Sequence, residues 1–461
     1  MPTPEAMLHK ALRAAPRRYR LPPMPADAQA AQAQGPASAI AYALDALHRA
    51  RQQGRPPCPD LQALFTGALA ALVQATMSPQ QGDFTYQALV WRRQHQEVDT
   101  HVALVERSAD DERSVRSTVD AVAHPGKLKR SAGDASRERL ATLHAKAAAG
   151  DWTGLRQAIE AALAEPLDET QPLAATLHRL LANPALERLE RGAALRREPS
   201  VQRYRALRER AGADAGSAVA TARGQRAARQ GNLSEAEAAQ ALVQIVDRLN
   251  QAVEGPPVFR LVRSLRTPGT LGETHRAKAE WDAAIVRELT ETAAAEIVLL
   301  VEVKTSPAAA SADWPRLRRG LESLAQARPG DLYDFPSPSG LVRVTGDSLR
   351  RLQAPGQHAV APQVIYCCMA EQETHPSILS AQSKALLLAE PESLGYAGRV
   401  ARGESPALEE LAAVWEAVQA SPRLRGMQLQ YETAQAAREA MLHPADLLAA
   451  VEQYFAGTTR T

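Results

Sequence analysis

Aromatic side chains are scarce in this chain of 461 residues: five Phe, five Trp and nine Tyr amount to 4%. A core must therefore come from aliphatic residues, and the abundance of Ala and Arg favours helices with small cores. Only three cysteines occur, Cys58, Cys367 and Cys368, which excludes a disulfide framework, and no CxxC or Cys/His cluster has the spacing of a zinc site. Such cysteine use fits a reducing compartment. No run approaches the about 18 apolar residues of a membrane span, and the opening MPTPEAMLHKALRAAPRRYRLPPMP is basic without an apolar h-region. The expectation is a cytoplasmic protein, or an effector exported without a cleavable signal. Charge of one sign is not in excess either, with 54 Lys and Arg against 52 Asp and Glu for a formal net charge of +2. Any nucleic-acid surface must then be a local patch. With no GxxxxGK[ST] loop and no GxGxxG after a strand, ATP-driven and dinucleotide chemistry have no support.

What the chain does have is 45% hydrophobic residues, enough for two or three domains. Residues 1–35, rich in Pro, Ala, Gln and Arg, read as a loosely ordered arm. Residues 36–230 read as an all-α domain: SAIAYALDALHRA, LQALFTGALAALVQA, WTGLRQAIEAALAE and QPLAATLHRLLA repeat apolar residues at helical spacing. TYQALVWRRQHQEVDTHVALVERS fits one long helix or a strand pair, and helix is preferred. The arginines between Arg188 and Arg229 are interspersed with glutamates, which suits a solvated face plus a linker better than a nucleic-acid stripe. Residues 231–400 change texture. A helix with Ser234 as N-cap and Glu237 at the capping-box position precedes the strand-like runs VFRLVRSLR, AEWDAAIV, EIVLLVEVKT, LVRVT and APQVIYCCMA, with KALLLAEP as a last strand. DWPRLRRGLESLAQA returns to helical spacing, and residues 401–461 read as a helical tail. The expected domain at 231–400 is α/β with a mixed sheet.

Two of these strands carry charges where a core strand would not. Side chains alternate faces, so Glu302 and Lys304 project together at the end of AEIVLLVEVKT, while Val301 and Val303 face the other way. Asp282 interrupts AEWDAAIV in the same manner. If the two runs pair as a hairpin through RELTETAA, Asp282 and Glu302 come near each other, and two desolvated carboxylates need a counter-charge. A divalent cation supplies it, since Mg²⁺ takes one or two carboxylates plus water and phosphate oxygens. Lys304 beside it can orient or deprotonate a nucleophile, or offset charge on phosphorus.

The order helix, strand, strand with Asp282, strand with Glu302-x-Lys304, helix resembles the PD-(D/E)XK nuclease superfamily, whose core is the restriction-endonuclease-like fold. The resemblance spans about a hundred residues and departs at Trp281, where the family often has proline. It implies an Mg²⁺- or Mn²⁺-dependent nuclease acting on DNA or RNA, with Asp282 and Glu302 as metal ligands and Lys304 as the catalytic lysine. The family's helix glutamate is placed at Glu237, with Glu235 as the alternative. Arg263, Arg266, Arg316 and Arg319, with Arg260 and Arg318, are candidates for phosphate contacts. The modular layout suits a bacterial toxin, effector or defence nuclease whose helical region binds a protein partner, such as an immunity protein. A non-catalytic scaffold that keeps the sheet is the reading from another class. Glu280 reads as solvent-facing or as a supporting ligand, Cys367 and Cys368 as buried structural thiols, and His275 and His375 lack partners at ligand spacing.

Overall fold

The computed structural model describes residues 3–126, 134–164, 171–212, 218–271, 277–353, 356 and 359–456. The chain divides into two compact units. One is formed by residues 1–73, 215–393 and 406–461, the other by residues 74–214 and 394–405. Among the described residues no helix is long and apolar enough to cross a membrane.

The first unit holds a seven-stranded mixed sheet among the described residues. Its strands are β1 (Phe259–Arg266), β2 (Glu280–Leu289), β3 (Ala294–Lys304), β4 (Leu332–Ser337), β5 (Gly340–Thr345), β6 (Val364–Cys368) and β7 (Met441–Leu442). The first three form an antiparallel meander, and the turn between β2 and β3 leaves Ala293 at φ 51°. β3 is the central strand. β2 lines one of its edges; on the other, β5 pairs near its start at Ala295 and β6 runs parallel to its end, from Leu300↔Val364 to Lys304↔Cys368. β7 pairs parallel with β6.

Five helices matter to this sheet: α1 (Pro4–Ala14), α2 (Ala218–Gln251), α3 (Pro307–Leu324), α4 (Gln430–Glu439) and α5 (Pro444–Ala456). Period-two burial gives the sheet two apolar faces. One packs Leu300, Ala284 and Trp281 against Ala310, Trp314, Leu317 and Leu321 of α3. The other packs Val301, Ile285 and Ile365 against Leu242 and Ile245 of α2, Leu8 and Leu12 of α1, and Leu447 and Val451 of α5. Ser306 caps α3 by accepting from Ala309 N at 3.3 Å, and Pro307 stands at the first helical position, where its missing N–H costs nothing.

Four expectations are corrected here. The N-terminal segment is no loose arm: Thr3 and Pro4 start α1, and Leu8 and Leu12 are fully buried. Helical order passes through Ser234, which is buried inside α2 instead of capping it, because the helix already begins at Ala218. KALLLAEP lies in helix Ala381–Leu388 and its C-terminal flank, not in a strand; Ser380 accepts from Ser383 N there. Residues 36–73 and 406–461, expected in a helical domain and a tail, belong to the same unit as the sheet, where Phe65 lies 5.0 Å from Trp415.

The second unit is built of helices and has no strand among its described residues, with Val115, Val119, Trp152, Ile159, Leu177 and Leu186 in its core. The ambiguous stretch forms two helices, Phe84–Gln94 and Gln96–Ala123, broken at His95. Arg188 bonds Asp111 at 2.5 Å, Arg203 lies over Trp91 at 4.4 Å and Arg210 over Phe84 at 3.8 Å.

Candidate functional site

The ladder between β2 and β3 stops at Ala283↔Val301. One step further on, where Asp282 would face Glu302, the Asp282 side chain replaces the backbone ladder: its Oδ2 accepts from Val303 N at 2.7 Å. The carboxylate is therefore held at the strand end, near enough for its charge to act on Glu302 and Lys304.

Glu302 follows the face of Leu300, toward α3, and is 1% exposed. Its Oε2 bonds Lys278, a residue just ahead of β2 that is itself 7% exposed, and receives Lys304 at 3.4 Å. Its Oε1 is buried without a hydrogen-bond partner among the described residues. Burial, reinforced by the charge of Asp282, pushes the Glu302 carboxyl up to about 8 against the pull of Lys278 and Lys304.

Lys304 is anchored from a second side by Asp313 of α3, 3.2 Å away. Burial works to lower its pKa, but Glu302, Asp313 and Asp282 together outweigh this and hold it above the ordinary lysine value. The ammonium is therefore a fixed positive charge and not a proton acceptor at neutral pH. Tyr366, in register with Glu302 on β6, donates to Asp313 Oδ2 at 3.4 Å and places its ring 5.9 Å from Lys304 Nζ. Burial, with the nearby Asp313 and Glu302 charges, raises its pKa and keeps it a neutral phenol.

Three members of this cluster were not anticipated: Lys278, Asp313 and Tyr366. Asp313 could have been suspected as an acid opening the helix after Glu302-x-Lys304. Lys278 reaches Glu302 because α3 lies very close above it. A Cβ on Gly320 would stand 2.7 Å from the Lys278 Cβ and 3.1 Å from Trp281 Cζ2.

The other candidates fall elsewhere. Glu237 is exposed on α2, on the opposite face of the sheet, where its charge acts on His443; Glu235 is exposed on the same helix. Neither joins Asp282 and Glu302, because the sheet separates them. Arg266 pairs with Glu280 at 3.2 Å, which assigns Glu280 a surface partner, and Arg260 pairs with Glu288 at 2.6 Å. Arg263 is in register with Ala283, whose side chain packs on the α2 side, whereas Arg316, Arg318 and Arg319 belong to α3, with Arg318 bonded to Glu322. The arginines are thus not gathered on one face. Cys367 and Cys368 are buried, with burial pushing the Cys367 thiol up to about 12. His375 is exposed, and His275 lies outside the described residues.

Among the described residues no three His, Cys, Asp or Glu side chains gather as a group able to hold a metal ion. The pair Asp282 and Glu302 does fit a divalent cation, because the orphaned Glu302 Oε1 supplies a buried acceptor beside a second carboxylate, and such a cation needs no more than one or two. No family model matches the chain, and no curated protein and no solved structure matches it.

Proposed function

We propose that the chain is a metal-dependent nuclease of the PD-(D/E)XK type, with a restriction-endonuclease-like core, that hydrolyses phosphodiester bonds of DNA. The observation that carries this reading is the end of β3. There a carboxylate that is 1% exposed has one oxygen unpartnered among the described residues, beside a second carboxylate and a lysine held charged by three acids. The order α2, meander β1–β3, α3, then β6 parallel to β3 supports it as well.

Asp282 and Glu302 would hold Mg²⁺ or Mn²⁺, which when bound supplies a Lewis acid for the scissile phosphate and acidifies a water. Lys304 serves as an ammonium that offsets the negative charge growing on the phosphoryl oxygens; its raised pKa argues against the alternative role of general base. Asp313 and Tyr366 fix the position of that ammonium. Within this reading the protein belongs with toxin, effector or defence nucleases, and its helical second unit is the place for a protein partner.

The test is purified protein with plasmid, single-stranded DNA and RNA, with Mg²⁺ or Mn²⁺ and then chelator, beside Asp282→Asn and Lys304→Ala. Cleavage of DNA that needs metal and drops by about 100-fold or more in both variants is expected. Cleavage that ignores the chelator or survives both changes would count against the site. Asp282→Asn is chosen because it keeps an acceptor for Val303 N.

One observation favours a second reading, a non-catalytic scaffold. Lys278 already pairs with Glu302 within the core, so the cluster can be explained as a structural network. That reading expects no cleavage of any substrate and no calorimetric signal for Mn²⁺.

A further inference from the structure

A cavity of about 600 Å³ opens at the other end of β6, beside Val364, four residues before Cys368, the strand end that pairs with Lys304. Its floor is apolar, formed by Val360, Pro362, Val364 and Ala436. Two guanidinium groups stand on its wall, Arg13 from the last turn of α1 and Arg17 just beyond it. Arg17 donates through Nη2 to Leu12 O at 2.7 Å, while its Nη1 is buried with no partner among the described residues. A charged donor left bare in this way is costly. The acids of the same wall have partners of their own. Glu439 pairs with Arg20 at 3.0 Å, and Glu432 faces His48 at 3.7 Å. Glu439 is near enough to favour the Arg17 charge, and desolvation, the larger effect, still lowers the Arg17 pKa.

We propose that this cavity binds a small amphipathic anion, with its carboxylate or phosphate head on Arg17 and Arg13 and its apolar body on the floor beside β6. Its volume lies in the range of pockets that enclose small molecules, which runs from roughly 300 to 1,000 Å³. A planar guanidinium is suited to a two-oxygen head, and the unmet Nη1 donor is what the head would satisfy. The site is separate from the cluster around Glu302 and does not depend on the nuclease reading.

Titration calorimetry on the full chain with octanoate, octyl phosphate, 1-octanol and octyltrimethylammonium tests it. One or both anions should bind in a one-to-one ratio, with the better of the two identifying the head group, while the alcohol and the cation bind about tenfold more weakly or not at all. Arg17→Met, which keeps an apolar stem, should weaken anion binding by about tenfold, and Arg13→Met, an exposed change that cannot disturb the core, should weaken it in the same direction. The proposal is overturned if neither anion saturates at millimolar concentration, if octanol binds as tightly as octanoate, or if both variants bind like the parent chain.

Discussion

Glu302 receives two lysines from different parts of the chain, Lys278 from the lead into β2 and Lys304 from its own strand. With Asp282 and Asp313 included, three carboxylates face two ammonium groups, so one negative charge is uncompensated when all are ionised. Burial first, and the charge of Asp282 second, raise the Glu302 carboxyl to about 8 from an ordinary 4.5, so that it keeps its proton over much of the neutral range. Between those two values the folded chain holds a proton that the unfolded chain has released, so this group's contribution to stability falls as pH rises from about 4.5 to about 8 and then levels. Replacing Lys278 by Met removes the nearer positive charge and raises the Glu302 pKa further. Urea denaturation should show Lys278→Met to be less stable than the parent by about 3 kcal/mol near pH 9, above the Glu302 value, where the parent's Glu302 is ionised. The loss should shrink toward pH 5, where Glu302 is protonated in both proteins, and Lys278→Met combined with Glu302→Leu should recover most of it. An equal loss at both pH values would mean that Lys278 acts through packing alone.

At the scale of elements, α3 sets the geometry of the cluster by lying close over β2. Gly320 makes this approach possible, with the Lys278 Cβ and the Trp281 ring in the space a side chain would need. Gly320→Ala would ordinarily stabilise an exposed helix interior by about 1 kcal/mol. Here it should destabilise the protein by about 1–2 kcal/mol, because overpacking outweighs propensity, and it should shift Lys278 away from Glu302. Chemical denaturation gives the sign, and a stabilised variant would show that the helix can move outward freely. The strands were legible because charge interrupts their apolar runs at Asp282 and Glu302, and period two then fixes which residues share a face. Lys278 and Tyr366 were not legible, since one precedes its strand and the other sits on a strand more than sixty residues after Glu302; only α3 and the parallel β3–β6 pairing bring them in. Helix Ala381–Leu388 reads as a strand because three consecutive leucines are too short a run to separate periods of 2 and 3.6; the helix signal lies ahead of them, in the Ser380 cap. In α1 the apolar spacing of Met7, Leu8, Ala11 and Leu12 was present, but the surrounding Pro and Arg obscured it.

The whole molecule departs most from a reading made along the chain, because the sheet unit is assembled from three separated segments. α1 and α5, drawn from opposite ends of the sequence, both cover the face of Val301, and Arg18 just after α1 is bonded to Asp446 in α5. α4 adds Ala437 to the other face, and β7 extends the sheet beyond β6. A linear fragment of residues 231–400, which carries every charge of the candidate site, omits all four elements and cuts α2 within its span. Leu242, Ile245, Ile365 and Cys367, buried in the full chain, would lose their cover. Exposing an apolar face of this extent removes many contributions of about 25 cal/mol per Å², against a net stability of only about 5–15 kcal/mol for a domain. The fragment should therefore aggregate, or melt without a cooperative transition by circular dichroism, while the full chain melts cooperatively. A sharp transition in the fragment would show that α2, α3 and the strands suffice, and that the terminal helices are additions to an independent core.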